Sequence, residues 1–502
     1  MFDSSSVTRT EQRFDTDRIN QWFARFERWF AIALVLYHTN FLYLALSGRL
    51  SSEDPMAIRT IALESSPLLA LLKGLILLGL VSVSILRGKL LLNVILRRKA
   101  LLGLMLWIVV STFWAKNPGD SLKWAIELGT VTLAGIYCAA RFSIREFLGL
   151  AAIGMGLMVG INFLFCLAFP HFGIQTGLQA GAWRGLYIQK NTLARMMLFA
   201  SLVFMSQLSV PRAMETPVKS HRRAQFWAKG ALMICILLTV LSQSKTALLL
   251  IVGLFLFIPL CQTLRSRHPL ALALLTCGAL AGLMVALTLV GNYEAILAGL
   301  GRDPTLSGRT DIWEVMIDKI IERPWTGYGY AGFWHGKEGE SIDIWYRSRD
   351  MPPHGHNGYL DLTLDLGLIG LGLFLSSFGQ AMARSIVWLR RAGAGVALFP
   401  VLFLVAMMLY NISEDSLIAE PSSNLTWFLY CYVTSALLVQ PMASQDESPQ
   451  DLFVEANTEW TWEEHWQRSS DTGHSWVPTD DTPPEPAPDS EAEKLTMDRS
   501  GS

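Results

Sequence analysis

Apolar residues along this chain gather into repeated runs of roughly 16 to 23 residues, the length that crosses about 30 Å of hydrocarbon at about 1.5 Å per residue. The runs fall at 29–47, 67–86, 101–115, 124–140, 147–169, 193–209, 227–243, 246–262, 269–291, 359–380, 395–412 and 424–440. They predict an all-α polytopic membrane protein of about twelve transmembrane helices, the seventh and eighth parted only by a polar notch at 242–245. The first run is longer than a signal-peptide core and has acids ahead of it, so it reads as an uncleaved span behind a polar segment, 1–28.

The polar positions between the runs set the orientation, because Lys and Arg concentrate in short cytoplasmic loops. One side collects Arg87, Lys89, Arg97, Arg98 and Lys99, then Arg141 and Arg145, then Arg212 to Lys229, Arg265 and Arg267, and finally Arg384, Arg390 and Arg391. The alternation never breaks. It predicts both termini in the cytoplasm, with 48–66, 116–123, 170–192, the notch at Lys245, 292–358 and 413–423 facing outward. The long outward loop, 292–358, carries short helices and is where chemistry is expected.

Composition narrows the class. Of 502 residues, 51% are hydrophobic and only 17% charged, with a mean hydropathy of +0.34, which excludes a soluble enzyme, a collagen-like fibre and a disulfide-stapled secreted domain. The net charge of −1 conceals two opposite parts: 446–502 hold 15 of the 42 acids and 3 of the 41 bases, leaving 27 acids against 38 bases elsewhere. That basic excess answers to orientation, not to nucleic acid. The domains are then an N-terminal cytoplasmic segment (1–28), a membrane domain (29–440) and an acidic tail (441–502) too poor in apolar surface to fold. The tail's Trp460, Trp462, Trp466 and Trp476 suit either a docking motif for a cytoplasmic partner or a solvated tail. Six cysteines lie singly in apolar runs and argue for neither a disulfide framework nor a zinc site. No cofactor or metal site is expected.

In SGRTDIWEVMIDKIIERP at 307–324, Asp311 and Glu314 make a capping-box spacing, and Ile312, Val315, Met316 and Ile320 an apolar helical face closed by Pro324. A helix is predicted from near Asp311, with Arg309 just ahead of it, where free N–H groups and the helix dipole favour an anion and a guanidinium clasps phosphate. A plain surface arginine is the other reading. The following GYGYAGFW fits G-x-G-x-x-G but follows a helix and lacks the βαβ setting that a dinucleotide site needs. Its Tyr328, Tyr330, Phe333 and Trp334 are suited to sugar stacking or to anchoring at the membrane interface.

The loop ends in MPPHGHNGYLDLTLDLGLIGLGLF. His354 and His356 stand at the outer mouth of a span, where an imidazole suits general-base work. Asp361 and Asp365, four residues apart, share a helical face that must look into the bundle, since a lipid-facing carboxylate costs about 2.5–3.5 kcal/mol. They are placed to orient a histidine or bind a cation. Further ionisable residues at membrane depth are Arg184, Lys190 and Asn191 in WRGLYIQKNTLAR, Lys245 in LSQSKTALL, and Glu414 with Asp415 in YNISEDSL. Snorkelling to headgroups is the competing reading for Arg184, Lys190 and Arg195.

With these residues in hand, 100–440 resemble the O-antigen ligase and polymerase superfamily of bacterial membrane glycosyltransferases, which includes exopolysaccharide polymerases. SGRTDIWE, GYGYAGFW and HNGYLDLTLDLGLIG carry most of the likeness, with YIQKNTLA and LSQSKTALL beside them; Lys245 stands where the family usually has Arg, and Gln189 where a His often precedes Lys-Asn. The resemblance implies inverting, metal-independent transfer of a glycan from undecaprenyl pyrophosphate to an acceptor hydroxyl at the outer face of the inner membrane, the acceptor being lipid A core, a growing glycan or a protein. It makes Arg309, Lys245 and His356 catalytic, with Arg184, Lys190, Asn191, His354, Glu414 and Asp415 binding or orienting substrate. A flippase or exporter of the same lipid-linked glycan, with no covalent chemistry, is the competing class.

Overall fold

A computed structural model of the chain describes residues 4–47, 66–176, 179–209, 218–265, 309–335, 339–347, 352–391, 395–418 and 424–439. The predicted run 269–291, the first part of the outer loop and the tail with its tryptophans lie outside the described residues. The elements in chain order are α1 (Ser4–His38), α2 (Tyr43–Leu46), α3 (Pro67–Leu86), α4 (Gly88–Arg97), α5 (Lys99–Ser111), α6 (Pro118–Arg141), α7 (Ile144–Ala168), α8 (Pro170–Gly173), α9 (Lys190–Leu208), α10 (Val218–Leu241), α11 (Lys245–Arg265), α12 (Arg309–Glu322), α13 (Ile342–Arg347), α14 (Gly358–Arg391), α15 (Leu398–Tyr410) and α16 (Asn424–Val439). Among the described residues the only β pairing is one isolated antiparallel bridge, Ile174 to Trp183.

Of the remaining eleven apolar runs, ten fall each on one main helix, and 29–47 is divided between α1 and α2. Four helices are long and apolar enough by length and composition to cross a membrane, at Pro67–Leu86, Ile144–Ala168, Arg222–Leu241 and Gly358–Arg391; Lys99–Trp114, Lys245–Cys261, Leu398–Tyr410 and Leu425–Val439 are shorter apolar helices. The chain is an integral membrane protein of the all-α class. Its outer surface agrees with lipid as solvent: α3 leaves Leu71, Leu75, Leu78 and Ile85 each more than half exposed, an apolar face that water would not tolerate over such a length.

At the centre stands α9, in which every residue from Leu193 to Ser206 is buried. A helix apolar on all sides belongs inside a bundle. α6 and α16 pack so closely that a Cβ on Gly135 would lie 2.7 Å from the Cβ of Cys431, and Trp427 Nε1 donates to Thr132 Oγ1 at 2.8 Å across the same contact. The N-terminal segment expected to be only polar is helical and continuous with the first run. That run is interrupted after His38, where Asn40 takes a left-handed φ of 55°. Glu27 is fully buried between Arg87, at 3.2 Å, and Arg141, at 2.5 Å, which ties α1 to α3 and α6.

The span expected at 359–380 departs most from expectation. α14 runs on to Arg391 and is broken at Gly367, which adopts φ 66°, ψ −173°. The segment 324–328 inserts at the break: Leu368 N–H donates to Pro324 O at 2.7 Å, and Tyr328 N–H to Leu364 O at 2.8 Å. Trp107 Nε1 takes the freed carbonyl of Leu366 at 2.9 Å. Irregular backbone at this depth persists only where such partners replace the helical hydrogen bonds.

Candidate active site

The site is assembled from segments distant in sequence. α12 begins at Arg309, two residues earlier than its capping-box spacing suggests, so Arg309 is the first helical residue. The helix ends before Pro324 as predicted, and Ile312, Val315 and Met316 are buried with Tyr328 and Phe333 in one apolar cluster. Packed this way, α12 aims Arg309 at the 411–418 loop, where its guanidinium donates to Ser413 O and, from Nη2, to Glu414 Oε1 at 3.1 Å.

Glu414 is the hub. Its Oε1 also accepts from Asn191 Nδ2 at 3.1 Å, while its Oε2 lies 3.5 Å from His356 Nδ1. Burial works against the charge of Glu414, but the hydrogen bond and charge of His356, with the guanidinium of Arg309, outweigh it and hold the carboxyl at about 2. With Glu414 ionised, a proton on His356 Nδ1 faces the carboxylate and Nε2 is left as the acceptor, the arrangement by which a carboxylate fixes a histidine tautomer.

The turn that presents His356 is held from three directions. Gly355 N–H donates to both oxygens of Asp361, at 3.1 and 3.0 Å, and Gly355 O accepts from Trp313 Nε1 at 2.8 Å. A Cβ on Gly355 would run into the end of the Met316 side chain, so any larger residue has to displace Met316 for the turn to settle against α12. Asn357 Oδ1 then accepts from the N–H groups of Tyr359 and Leu360 and starts α14. Between these anchors His356 takes a left-handed φ of 52°, which His tolerates better than most residues and which functional turns often carry. His356 N–H donates to His354 Nδ1 at 3.2 Å. Burial first, and the neighbouring His356 second, pull His354 down to about 3; its ring is a neutral acceptor that supports its neighbour.

Asp361 and Asp365 are both buried, as their shared face requires. Asp361 accepts from Trp334 Nε1 at 2.7 Å as well as from Gly355, and Asp365 accepts from Ala331 N–H at 2.9 Å. Both carboxylates therefore hold loop backbone, and Asp361 acts on His356 only through the turn. The aromatic residues of GYGYAGFW depart from both expected roles. Tyr328, Tyr330, Phe333 and Trp334 are all at least nine-tenths buried and form core, not a sugar platform or an interface anchor. Tyr330 is fastened by Ser121 Oγ, which donates to its carbonyl at 2.6 Å, and by its own hydroxyl, which donates to Ile418 O at 2.8 Å. Among the described residues of this loop the exposed aromatics are Trp325 and Tyr346.

The other candidate residues divide. Arg184 is buried and donates to the carbonyls of Phe172 and Ile188, at 3.0 and 3.4 Å, shaping the 170–189 loop. Arg195, also buried, reaches Asp415 O at 3.2 Å and does not snorkel. Lys190 heads α9 next to Asn191, half-buried, with burial lowering its ammonium; no hydrogen-bond or ion-pair partner for it occurs among the described residues. Lys245 is exposed at the start of α11. Its neighbour Thr246 accepts from Ser413 Oγ at 3.4 Å, which joins the notch to the loop bearing Glu414. Trp313 and Asn357 escaped the reading of the sequence, and Trp334 was singled out for stacking or anchoring when its indole instead donates to Asp361; the Pro-Pro-His-Gly-His-Asn-Gly turn was the one signal that something nearby had to hold it.

The described residues thus define a membrane protein with a carboxylate, a guanidinium and a histidine joined at one end of a helical bundle. Residues 230–375, a segment that contains Lys245, Arg309, His354 and His356, match the O-antigen ligase family, Wzy_C. The chain is 27% identical over 274 residues to the exopolysaccharide production protein ExoQ of Rhizobium meliloti (strain 1021), covering 52% of this chain and 59% of that protein. It is 30% identical over 151 residues to a protein named as a polysaccharide ligase in Rickettsia prowazekii (strain Madrid E), covering 28% of this chain and 35% of that protein. A Rickettsia conorii (strain ATCC VR-613 / Malish 7) protein named in the same way is 43% identical over 79 residues, 15% of this chain and 19% of its own. The chain therefore spans less than two thirds of the length of the relatives it matches.

Proposed function

We propose that the protein transfers a glycan from an undecaprenyl-pyrophosphate carrier to an acceptor hydroxyl at the outer face of the bacterial inner membrane, with inversion and without a metal ion. The observation that carries the reading is the bridge of Glu414 between Arg309 and His356. It supports the reading because one carboxylate joins a guanidinium suited to a leaving pyrophosphate and an imidazole suited to an attacking hydroxyl.

In this reading the acceptor oxygen attacks the anomeric carbon from the face opposite the pyrophosphate. The new C–O bond forms as the bond to the phosphate oxygen breaks, and undecaprenyl pyrophosphate departs with the electron pair. His356 Nε2 takes the proton of the acceptor hydroxyl. Arg309, with N–H groups beyond those engaged by Ser413 and Glu414, stabilises the charge that develops on the leaving group, and Lys245 assists from the notch. Lys190, whose ammonium meets no described partner, is an auxiliary for the second phosphate; Asn191 and Glu414 orient the dyad; Arg184 and Asp415 shape the loops around it.

The topology that goes with the chemistry has twelve spans, both termini and the acidic tail in the cytoplasm, and 292–358 in the periplasm. It rests on the unbroken alternation of Lys and Arg between loops. A cytoplasmic protein docking on the tail's tryptophans completes the set of partners.

The test is gel analysis of glycan made by the purified protein from undecaprenyl-pyrophosphate repeat units, with and without lipid A core, wild type beside His356→Ala. Longer chains on the carrier identify a polymerase, and label passing to lipid A core a ligase. No covalent product in any lane from folded protein overturns the proposal in favour of the flippase.

A further inference from the structure

Arg98 and Arg384 stand away from the site just described. α5 runs from Lys99 beside Arg98 to Ser111, whose Oγ accepts from Tyr330 N–H at 3.1 Å in the loop that packs under the active site. Thirteen helical residues put Arg98 about 20 Å from that end. Arg384 lies correspondingly far along α14 from the His356 turn. Only 4% of Arg98 is exposed, yet among the described residues no acceptor meets its Nε or Nη2. Nη1 of Arg384 and Nε1 of Trp388 are buried and unmet in the same way. The charges of the two arginines act on each other, Arg384 working with burial to disfavour the charged form of Arg98. Trp388 follows Arg384 by four residues and so shares its helical face. No side chain caps the start of α5, where Arg98 is the N-cap residue.

Every one of these groups is a donor. Two like charges and an indole N–H with no acceptor among them form a costly arrangement unless something with several acceptor oxygens and a negative charge completes it. A phosphate meets that description. The elements that carry the donors also leave apolar side chains uncovered, with Leu92 and Leu96 on α4, Leu106 on α5, and Ile386 and Val387 on α14 exposed. These are surfaces for acyl chains, which a free phosphate does not have. We propose that Arg98, Arg384 and Trp388 form a binding site for the phosphate headgroup of an anionic phospholipid, at the end of the bundle opposite the candidate active site.

The experiment is native mass spectrometry of the full chain released from nanodiscs of phosphatidylglycerol mixed with phosphatidylcholine, paired with thermal unfolding as phosphatidylglycerol is added. The wild type is expected to retain phosphatidylglycerol over phosphatidylcholine and to gain Tm. Arg98→Gln with Arg384→Gln is expected to weaken retention roughly tenfold or more, the effect of losing charge-assisted hydrogen bonds, while the exposed Lys99→Gln leaves it unchanged. Should Arg98→Gln fail to fold, Arg384→Gln alone, at a half-exposed position, carries the comparison. Equal retention of the two lipids overturns the proposal. So does equal stabilisation by inorganic phosphate, which would make the site one for the free ion. The polymerisation assay is independent of both readouts, so the site and the proposed activity stand or fall separately.

Discussion

Arg309 and Glu414, 105 residues apart in the chain, meet at 3.1 Å, and the second oxygen of the same carboxylate faces His356. One acid therefore sets the position of both the cation and the base. Replacing it with its neutral isostere removes the charge from both contacts at once while keeping the shape. Glu414→Gln is expected to lower turnover roughly 10- to 100-fold, the usual effect of removing an orienting partner, with the protein still inserted. Initial rates measure it. Glu414→Gln turning over at the wild-type rate would contradict the hub.

His356 and His354 share a turn but not a role. The site geometry leaves His356 Nε2 free to accept a proton, whereas His354 uses Nδ1 to accept the backbone N–H of its neighbour. His356→Ala is expected to lose roughly 10²–10⁴-fold in rate, the range for a general base, and His354→Ala distinctly less. Arg309→Ala is expected to lose roughly 10²–10³-fold, with Arg309→Lys keeping part of the rate because the charge survives and the fork does not. The comparison sinks the assignment if His354→Ala proves the more damaging of the two histidine variants.

Two groups at the site make stability depend on pH in windows that overlap between about 3 and 4.5 and are distinct outside it. Glu414 is held at about 2 against an ordinary 4.5, so its contribution is complete above 4.5 and is lost as pH falls towards 2. His354 is held at about 3 against an ordinary 6.5. Between those values the unfolded chain binds a proton that the folded protein does not, so stability declines as pH falls below 6.5. Thermal unfolding in nanodiscs is expected to show both slopes, with His354→Ala flattening the decline between 6.5 and 4.5, where His354 acts alone, and Glu414→Gln flattening the steeper decline below 4.5. Unchanged slopes in both variants would remove the electrostatic account of the site.

Much of the membrane domain was legible because a 3.6-residue repeat and a hydrophobic length are local properties; the boundaries of α3 coincide with the predicted run to the residue. Arg309, His356 and Glu414 could be singled out one by one, the first by its place ahead of a helix start, the second by its shaped turn at the mouth of a span, and the third because charge at membrane depth is costly and calls for a reason. Their union on one carboxylate was not legible, since nothing within a short window relates 309 to 414. The aromatic loop misled for a related reason. Tyr and Trp suit an interface, a sugar and a core equally well in sequence, and only the insertion of 324–328 into the broken α14 decides among them. Asp361 was correctly placed inside the bundle, but its attachment to Gly355 and Trp334 depends on where that loop goes.

The break in α14 gives the sharpest prediction on the fold. Gly367 has φ 66° and ψ −173°, a region reserved almost wholly for glycine and costing other residues on the order of 1–3 kcal/mol, and its missing Cβ would point into the Trp325 carbonyl and the Thr326 nitrogen. An added methyl has to push 324–328 out of the break. That motion strands Leu364 O and Leu368 N–H and pulls on the loop that carries Trp334 to Asp361. Gly372, five residues on, meets nothing within 4 Å of its would-be Cβ and lies in ordinary helix, where Ala is favoured by up to about 1 kcal/mol. Gly367→Ala is therefore expected to lower Tm and to cost activity through the displaced His356 turn, while Gly372→Ala leaves Tm level or slightly raised. Matched thermal melts of the two variants in the same nanodiscs measure the difference. If the two melt together, α14 is not held broken by the inserted loop, and the path from that loop through Trp334 and Asp361 to His356 is cut at its first step.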